Sequence, residues 1–414
     1  MHRALRWLLL AGGFPLAIVA CGSSKPDVVD ETAAGSAAEW VELPTPPLGP
    51  RSHVVGVWSG REVFYVGGDT FLCPPNASCD LPDDPPLADG AAFDPSTVSW
   101  REIAPSPVAF SWASTAVIGD DIYFLVAGSP DWRRAEAAFL RYSIGADAWE
   151  ELPQPAGDLG WYQLDPADGV VVAFSSSHEA GGRPDLMFDP SGGGIWEELP
   201  PDPLAPGYDR TMVWSRPYLY LFDHEIVPNP TSGPRPELPA DPPLTRAARL
   251  DLSTGEWERL PDSEILGTGP WFVEDEIMVN PNLGSADGGE VNSWGRRYPF
   301  GGIFDTSSAT WSELPEAPHA DIPAGVFGDD ISAGVLGSTD ALMYATEGWL
   351  LDLGSGSWIE LPQLPGSGGY TQRIVVTAGA DAVVFGGERW SDDLDLDDGE
   401  LLGDAWIWRS GRTP

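Results

Sequence analysis

Trp149-Glu-Glu-Leu-Pro153 and Trp196-Glu-Glu-Leu-Pro200 are the same five residues, repeated 47 residues apart. Close variants of this motif begin at five other positions, namely Trp40, Trp100, Trp257, Trp311 and Trp358. Successive copies lie 47 to 61 residues apart. A period near fifty indicates one supersecondary unit repeated along the chain, so we expect one repeat architecture rather than several unrelated domains.

Each repeat contains four segments that are typical of short β-strands. A short apolar run and a turn precede a stronger β-branched and aromatic run, such as Val63–Val66. A third run ends in a large residue followed by Asp, as in Phe93-Asp94, and this Asp is expected to cap the next turn. The fourth run begins at the tryptophan and stops at the proline, because proline cannot continue a β-ladder. Four antiparallel strands per repeat predict an all-β protein built from β-propeller blades.

The number of blades follows from the two ends of the chain. In most copies the large residue of the third strand lies seven residues before the tryptophan of the fourth. Trp408 takes the third-strand place in a last repeat without a fourth strand, whereas Trp40 begins a fourth strand without a third. We therefore expect residues 39–44 to complete the last blade, giving seven four-stranded antiparallel blades in a ring closed by the N-terminal strand. The repeated tryptophans are expected to fill the gaps between blades.

The repeat resembles the Kelch repeat over residues 39–414. The resemblance rests on the pairs Gly67-Gly68 and Gly386-Gly387 after second strands, on Pro50-Arg51-Ser52-His53 before a first strand, and on the repeated tryptophan. The middle repeats have lost the glycine pair. The resemblance implies a propeller. It also implies an alternative function, because Kelch-like propellers include sugar epimerases and a sugar-alcohol oxidase.

The first 38 residues predict export and membrane attachment. Arg3 and Arg6 precede an apolar run that is too short for an ordinary membrane span, and Ile18-Val19-Ala20-Cys21 resembles a bacterial lipobox. Residues 1–20 are thus expected to be a lipoprotein signal peptide, Cys21 the lipidated residue, and residues 21–38 a flexible tether. The predicted location is extracytoplasmic, anchored to a bacterial membrane at the cell surface or in the periplasm. The alternative is an ordinary secretory signal in which Cys21 is incidental.

Charge and cysteine content limit the partners and metal sites that the sequence predicts. The formal net charge is −41, with 63 acidic against 22 basic residues, so nucleic acid is not an expected partner. Cys73 and Cys79 favour a disulfide in an oxidising compartment over a metal site, because no histidine lies nearby to complete the site. The acidic stretch 392–400 could bind calcium but lacks a calcium-loop register, which favours a solvated loop. We expect no metal and no cofactor.

A final group of residues is a candidate ligand rim. The segments that lead into first strands share one face of a propeller, and about half of their large side chains are expected to be core. The group consists of Arg51, Trp112, Trp161, Tyr162, Tyr208, Asp209, Arg210, Trp271 and Tyr370. The sequence favours a monomeric, non-catalytic binding or scaffold module for a protein or neutral glycan partner. The alternative is a carbohydrate-active enzyme, of sugar epimerase or oxidoreductase type, with its site in the propeller funnel.

Overall fold

The β-branched and aromatic runs of each repeat are β-strands in a computed structural model of the chain. The structure describes residues 39–74, 79, 85–127, 136–157, 159, 162–179, 181–226, 243–267, 269–274, 276–281, 285–287, 297–315, 334–338, 341–346, 349–353, 355–360, 369–379, 381–390 and 399–409. All of them belong to one compact unit, Ala37–Pro414. The predicted signal peptide, Cys21 and the tether lie outside the described residues, and so does most of the acidic stretch 392–400.

The described strands form seven four-stranded antiparallel sheets, numbered I to VII. Sheet I contains β2 (Val55–Trp58), β3 (Val63–Val66), β4 (Gly90–Asp94) and β5 (Ser99–Ile103). Sheet II contains β6 (Ser114–Ile118), β7 (Asp121–Val126), β8 (Ala138–Ser143) and β9 (Ala148–Leu152). Sheet III contains β10 (Tyr162–Ala167), β11 (Val170–Ser175), β12 (Leu186–Phe188) and β13 (Trp196–Glu198). Sheet IV contains β14 (Gly207–Ser215), β15 (Tyr218–Glu225), β16 (Thr245–Asp251) and β17 (Glu256–Arg259).

Sheet V contains β18 (Phe272–Glu274), β19 (Ile277–Asn280), β22 (Gly302–Asp305) and β23 (Thr310–Ser312). Sheet VI contains β24 (Gly334–Ser338), β25 (Ala341–Thr346), β26 (Trp349–Asp352) and β27 (Ser357–Glu360). Sheet VII contains β29 (Ile374–Ala378), β30 (Asp381–Phe385), β33 (Ala405–Arg409) and β1 (Glu39–Glu42). Two smaller sheets pair β20 (Ser285–Asp287) with β21 (Arg297–Pro299), and β28 (Gly369–Thr371) with β31 (Glu388–Trp390) and β32 (Glu400–Leu401).

The predicted all-β fold of four-stranded antiparallel sheets is confirmed. The described part of the chain contains no α-helix, and in it no helix is long and apolar enough to cross a membrane. The N-terminal strand β1 pairs with the C-terminal strand β33, with Trp40 opposite Trp408. It therefore forms the outer strand of sheet VII, in the order β1-β33-β30-β29.

The core lies between consecutive sheets. Separate clusters of buried side chains join sheets I and II, II and III, III and IV, IV and V, and V and VI. Sheet VII in turn packs against sheet I, where the rings of Tyr65 and Phe385 lie 5.2 Å apart. The Tyr65 hydroxyl donates a hydrogen bond to the carbonyl of Val383 at 2.8 Å. The first and last sheets are therefore neighbours, although they lie at opposite ends of the chain.

In sheets II to VI, the repeated tryptophan joins the sheet to the one before it. In sheet IV, the Trp257 indole N–H donates to the carbonyl of Pro200, the proline that ends the motif of sheet III, at 2.9 Å. The same bond joins four other pairs, namely Trp149 with Ala104, Trp196 with Pro153, Trp311 with Pro261 and Trp358 with Pro315. In every pair the acceptor lies four residues after the preceding tryptophan, so the motif supplies both partners of the bond.

The first sheet departs from this pattern. The indole nitrogen of Trp100 is buried without a hydrogen-bond partner among the described residues. The sheet I motif also has alanine where the others have proline, and the Ala104 N–H donates to Asp147 at 2.8 Å. Proline needs no such acceptor, because it has no N–H.

The glycine pairs are required by close approach of the next sheet. A side chain at Gly67, where φ is +71°, would lie 2.1 Å from the carbonyl oxygen of Phe110, which leads into sheet II. At Gly386, where φ is +67°, it would lie 2.7 Å from the carbonyl oxygen of Arg51, which leads into sheet I. The junction of sheet VII with sheet I thus repeats the geometry of the junction of sheet I with sheet II.

The prediction that Asp caps the turn after the third strand is confirmed. The carboxylate of Asp94 accepts hydrogen bonds from the N–H and the hydroxyl of Ser96, at 2.8 and 2.6 Å. These bonds hold the pKa of Asp94 below its ordinary value. Asp189, Asp251 and Asp305 accept equivalent bonds from the serine two residues later.

Candidate functional site

Two arginines of the predicted rim are buried in ion pairs. Both terminal nitrogens of Arg51 donate to the carboxylate of Asp89, at 2.7 and 2.9 Å. Arg210 is more enclosed. It donates to both oxygens of Asp185, at 2.9 and 2.7 Å, and to Asp202 at 3.0 Å. Arg51 lies shortly before the first strand β2 and Arg210 lies within the first strand β14, whereas Asp89 and Asp185 each directly precede a third strand. Arg51 is thus a structural cross-link and not part of an exposed rim.

Two rim aromatics are also buried. Tyr162 is 4 % exposed, and its hydroxyl donates to the carbonyl of Pro184 at 2.9 Å. Trp271 is 4 % exposed and stacks on Phe222 with ring centroids 4.2 Å apart. Their burial agrees with the expectation that about half of the group is core.

The remaining described members keep accessible surface. Trp112 is 58 % exposed, with its ring centroid 5.3 Å from that of His53. Tyr208 is half-buried beside His224, and Asp209 is exposed with a left-handed backbone at φ 48°. Asp209 lies where the pairing of β14 with β15 shifts register. Trp161 and the side chain of Tyr370 lie outside the described residues.

A cavity of about 690 Å³ lies among sheets III, IV and V. Its walls are the first strands β10 and β14 and the segment that contains β18, with Gln163, Thr211 and Pro270 as representatives of the three. Arg210 and Trp271 of the predicted rim also line this cavity, although they have little exposed surface. Most of the lining is apolar side chain or backbone, and the only carboxyl group among the described lining residues belongs to Asp165.

Asp165 is held by the neighbouring sheet. The backbone N–H of Trp214, on β14, donates to Asp165 Oδ2 at 3.1 Å. Burial raises the pKa of Asp165 to about 8, and the Trp214 N–H opposes this rise only in part. The carboxyl group is therefore mostly protonated at neutral pH, in contrast to the ordinary surface carboxylates of this acidic protein.

The adjacent first strands are bridged by side chains at two other places. Ser114 on β6 accepts the N–H of Leu164 on β10 at 2.7 Å. Thr211 on β14 donates to the carbonyl of Gly269, before β18, at 3.2 Å. Asp165 makes the equivalent bridge from β10 to β14. A hydroxyl is sufficient for this role at the other two places, so the second oxygen of Asp165 is not needed to join the strands.

Ser52, His53 and Asp69 form a buried cluster with the residue types of a hydrolase triad. In such triads the serine and the carboxylate contact opposite nitrogens of the imidazole ring. Here the hydroxyl of Ser52 and the carboxylate of Asp69 both approach Nδ1, at 3.0 and 3.3 Å. This geometry is typical of a structural hydrogen-bond cluster.

Two further histidines are held neutral by burial. Desolvation lowers the pKa of His178, whose Nδ1 accepts the N–H of Gly207 at 3.2 Å. Desolvation lowers the pKa of His224 to about 4. Its Nε2 lies 3.3 Å from the hydroxyl of Thr245. Both imidazoles therefore act as neutral hydrogen-bonding groups.

The predicted disulfide between Cys73 and Cys79 is confirmed, with the two Cα atoms 6.0 Å apart. Over the described ranges, no three histidine, cysteine, aspartate or glutamate side chains come together as a metal site would require. The cysteines are thus a covalent cross-link.

Sequence reasoning missed Asp165. Gln163 and Asp165 alternate with Tyr162 and Leu164, which is the ordinary pattern of a strand with one polar face. The alternation gives no sign that another sheet covers the polar face.

No family model and no characterised protein matches this chain.

Proposed function

We propose that the chain is a seven-bladed Kelch-like β-propeller that binds a ligand without chemical change. The ring would consist of sheets I to VII, closed between sheets VII and I. Three observations support closure: the pairing of β1 with β33, the cluster around Tyr65 and Phe385, and the repeated glycine geometry at Gly67 and Gly386.

The proposed ligand is a neutral glycan, and the observation that carries this proposal is the lining of the cavity. Neutral polyhydroxylated molecules are bound by apolar and aromatic surface together with a few fixed polar groups. The cavity offers apolar side chains, backbone groups and one carboxyl group. The guanidinium of Arg210 is engaged by Asp185 and Asp202, so its charge is not available to attract an anion.

An enzyme acting on a carbohydrate is the second candidate, favoured by the raised pKa of Asp165. A carboxyl group with a pKa of about 8 can act as a general acid near neutral pH. Acid–base chemistry on a sugar also needs a second free titratable group. Among the described lining residues Arg210 is the only other titratable side chain, and it is already paired. This arrangement favours binding over catalysis.

The test is glycan binding by variants that fill the cavity. Gln163 is an exposed lining residue, so Gln163→Trp should block the cavity with little effect on folding. Ile195 is 59 % exposed and lies outside the cavity, so Ile195→Trp is the matched control. Calorimetric titration with neutral oligosaccharides should show binding by the wild type and the control, and at least tenfold weaker binding by Gln163→Trp. Equal binding by all three proteins would place the site elsewhere, with Trp112 and Tyr208 as the next residues to test. Conversion of the glycan during the titration would favour the enzyme.

The proposed location is extracytoplasmic, with a lipid anchor on Cys21. The Cys73–Cys79 disulfide supports an oxidising compartment. Cys21→Ser should move the protein out of the membrane fraction or block its processing, because acyl chains supply the affinity for membranes. A Cys21→Ser protein that stays in the membrane fraction would contradict the anchor.

A further inference from the structure

Asp165 has one oxygen engaged and one that faces no described partner. The Trp214 N–H donates to Oδ2, and this is the single hydrogen bond that the described residues make to the carboxyl group. A backbone N–H can only donate, so Oδ2 must act as an acceptor in either protonation state. The carbonyl oxygen of a neutral carboxyl group is a better acceptor than its hydroxyl oxygen, so the bond from Trp214 favours a neutral acid with its proton on Oδ1.

The surroundings of Asp165 favour the neutral acid. On the described strands that pack most closely against β10, the titratable side chains are Asp121 and Tyr123 on β7, and Tyr208, Asp209 and Arg210 on β14. None of these side chains is a cause of the pKa shift of Asp165, which burial raises to about 8. Arg210 is neutralised by its two aspartates. Across the cavity, Phe272 and Val273 contribute apolar surface.

From this geometry we infer that Asp165 is the specificity-determining residue of the cavity, and that it donates a hydrogen bond through Oδ1–H to a ligand oxygen that carries no proton. A carbonyl oxygen is the strongest neutral acceptor of this kind. The inference rests on the proposed function, because it assumes that the cavity binds a neutral glycan. It adds that the preferred glycan presents a carbonyl group to Asp165.

The donor role has a distinctive dependence on pH. When Asp165 loses its proton, the carboxylate repels a carbonyl oxygen but still accepts a hydrogen bond from a hydroxyl group. Affinity for a carbonyl-bearing ligand should therefore fall as the pH rises through about 8. With about one tenth of the protein protonated at pH 9, the loss between pH 6 and pH 9 should be about tenfold.

Two neutral oligosaccharides with the same sugar backbone test whether the ligand must present a carbonyl group to Asp165. Chitotetraose has an acetamido carbonyl on each sugar, whereas cellotetraose has a hydroxyl at the same place. We expect wild-type protein to bind chitotetraose more tightly, and to lose about tenfold in affinity for it between pH 6 and pH 9. Cellotetraose binding should change less over this range.

Three variants test the role of the carboxyl group. Asp165→Asn keeps an acceptor for the Trp214 N–H and a donor for the ligand but cannot ionise, so it should bind chitotetraose at both pH values. Asp165→Leu removes the donor and should weaken binding at both. Asp168→Asn, an exposed aspartate three residues away, should behave as the wild type.

The outcomes distinguish the inference from the proposed function. Chitotetraose binding that is equal or tighter at pH 9, or that is lost in Asp165→Asn, would overturn the donor role and leave the glycan-binding proposal standing. If the wild type binds neither probe at millimolar concentration, the proposed function fails and this inference fails with it. Carboxyl 13C NMR of the free protein gives an independent check, because a wholly ionised Asp165 at pH 7 would overturn the inference directly.

Discussion

Replacing Asp165 by asparagine should stabilise the protein, and the gain should grow as the pH rises. The pKa of Asp165 is about 8 in the folded protein, against an ordinary value of 3.8. Between these values the folded protein retains a proton that the unfolded chain has released. Raising the pH therefore favours the unfolded chain throughout this window, and the loss of stability levels off above about pH 8. Asparagine does not titrate, so the variant avoids this loss.

The size of the effect follows from the two pKa values. A difference of this size corresponds to an upper limit of about 5 to 6 kcal/mol, at about 1.4 kcal/mol for each pH unit. We therefore expect the free energy of unfolding of Asp165→Asn, relative to the wild type, to increase by up to about 5 kcal/mol between pH 4 and pH 9.

Urea denaturation followed by tryptophan fluorescence measures this difference at each pH. Asp94→Asn is the matched control, because hydrogen bonds from Ser96 lower the pKa of Asp94 instead of raising it. The stabilisation that these bonds give is present above the ordinary pKa and is lost only at more acidic pH, so the Asp94→Asn difference should stay constant from pH 4.5 to pH 9. An Asp165→Asn difference that is equally constant would refute the reasoning.

Three other predictions concern stability. Deletion of residues 39–46 removes β1, so it should expose the edge of sheet VII and lower the melting temperature; an unchanged melting temperature would contradict closure by this strand. Trp257→Phe should reduce the free energy of unfolding by about 1 kcal/mol more than Trp100→Phe, because of these two indoles only that of Trp257 donates a hydrogen bond. Equal losses in urea denaturation would show that this bond does not contribute to stability. Cys73 and Cys79 should resist thiol reagents until reduced, and reduction should cost about 2 kcal/mol at most because the closed loop is short; free thiols in the oxidised protein would disprove the cross-link.

Much of the fold could be predicted from the sequence, because each repeat carries residues that a strand or a turn requires at a fixed position. A tryptophan and a proline at fixed spacing mark the fourth strand, and Asp94 and its equivalents mark the turn before it. These signals depend on the residue and its neighbours in the chain. The same reasoning paired residues at the two ends of the chain, because an unpaired strand at each end leaves one simple solution.

Less of the candidate site could be predicted from the sequence. Arg51 and Arg210 look alike in the sequence, as basic residues near the start of a first strand. In the structure Arg210 lines the cavity, whereas Arg51 cross-links a turn. Each arginine is paired with a carboxylate far along the chain, Asp185 at 25 residues and Asp89 at 38 residues, and the sequence does not indicate either partner.

The repeat, the strand order within each sheet and the position of the tryptophans could be predicted from the chain, because each follows from hydrophobic patterning and backbone geometry over a few residues. The chemistry of Asp165 depends instead on how the sheets pack against each other. Its pKa depends on the protein atoms that replace water around it, and those come from strands β10 and β14 of two different sheets. In the sequence, Asp165 is typical of a solvent-facing acid on β10. In the structure β14 covers it, and burial favours the protonated form that can donate a hydrogen bond.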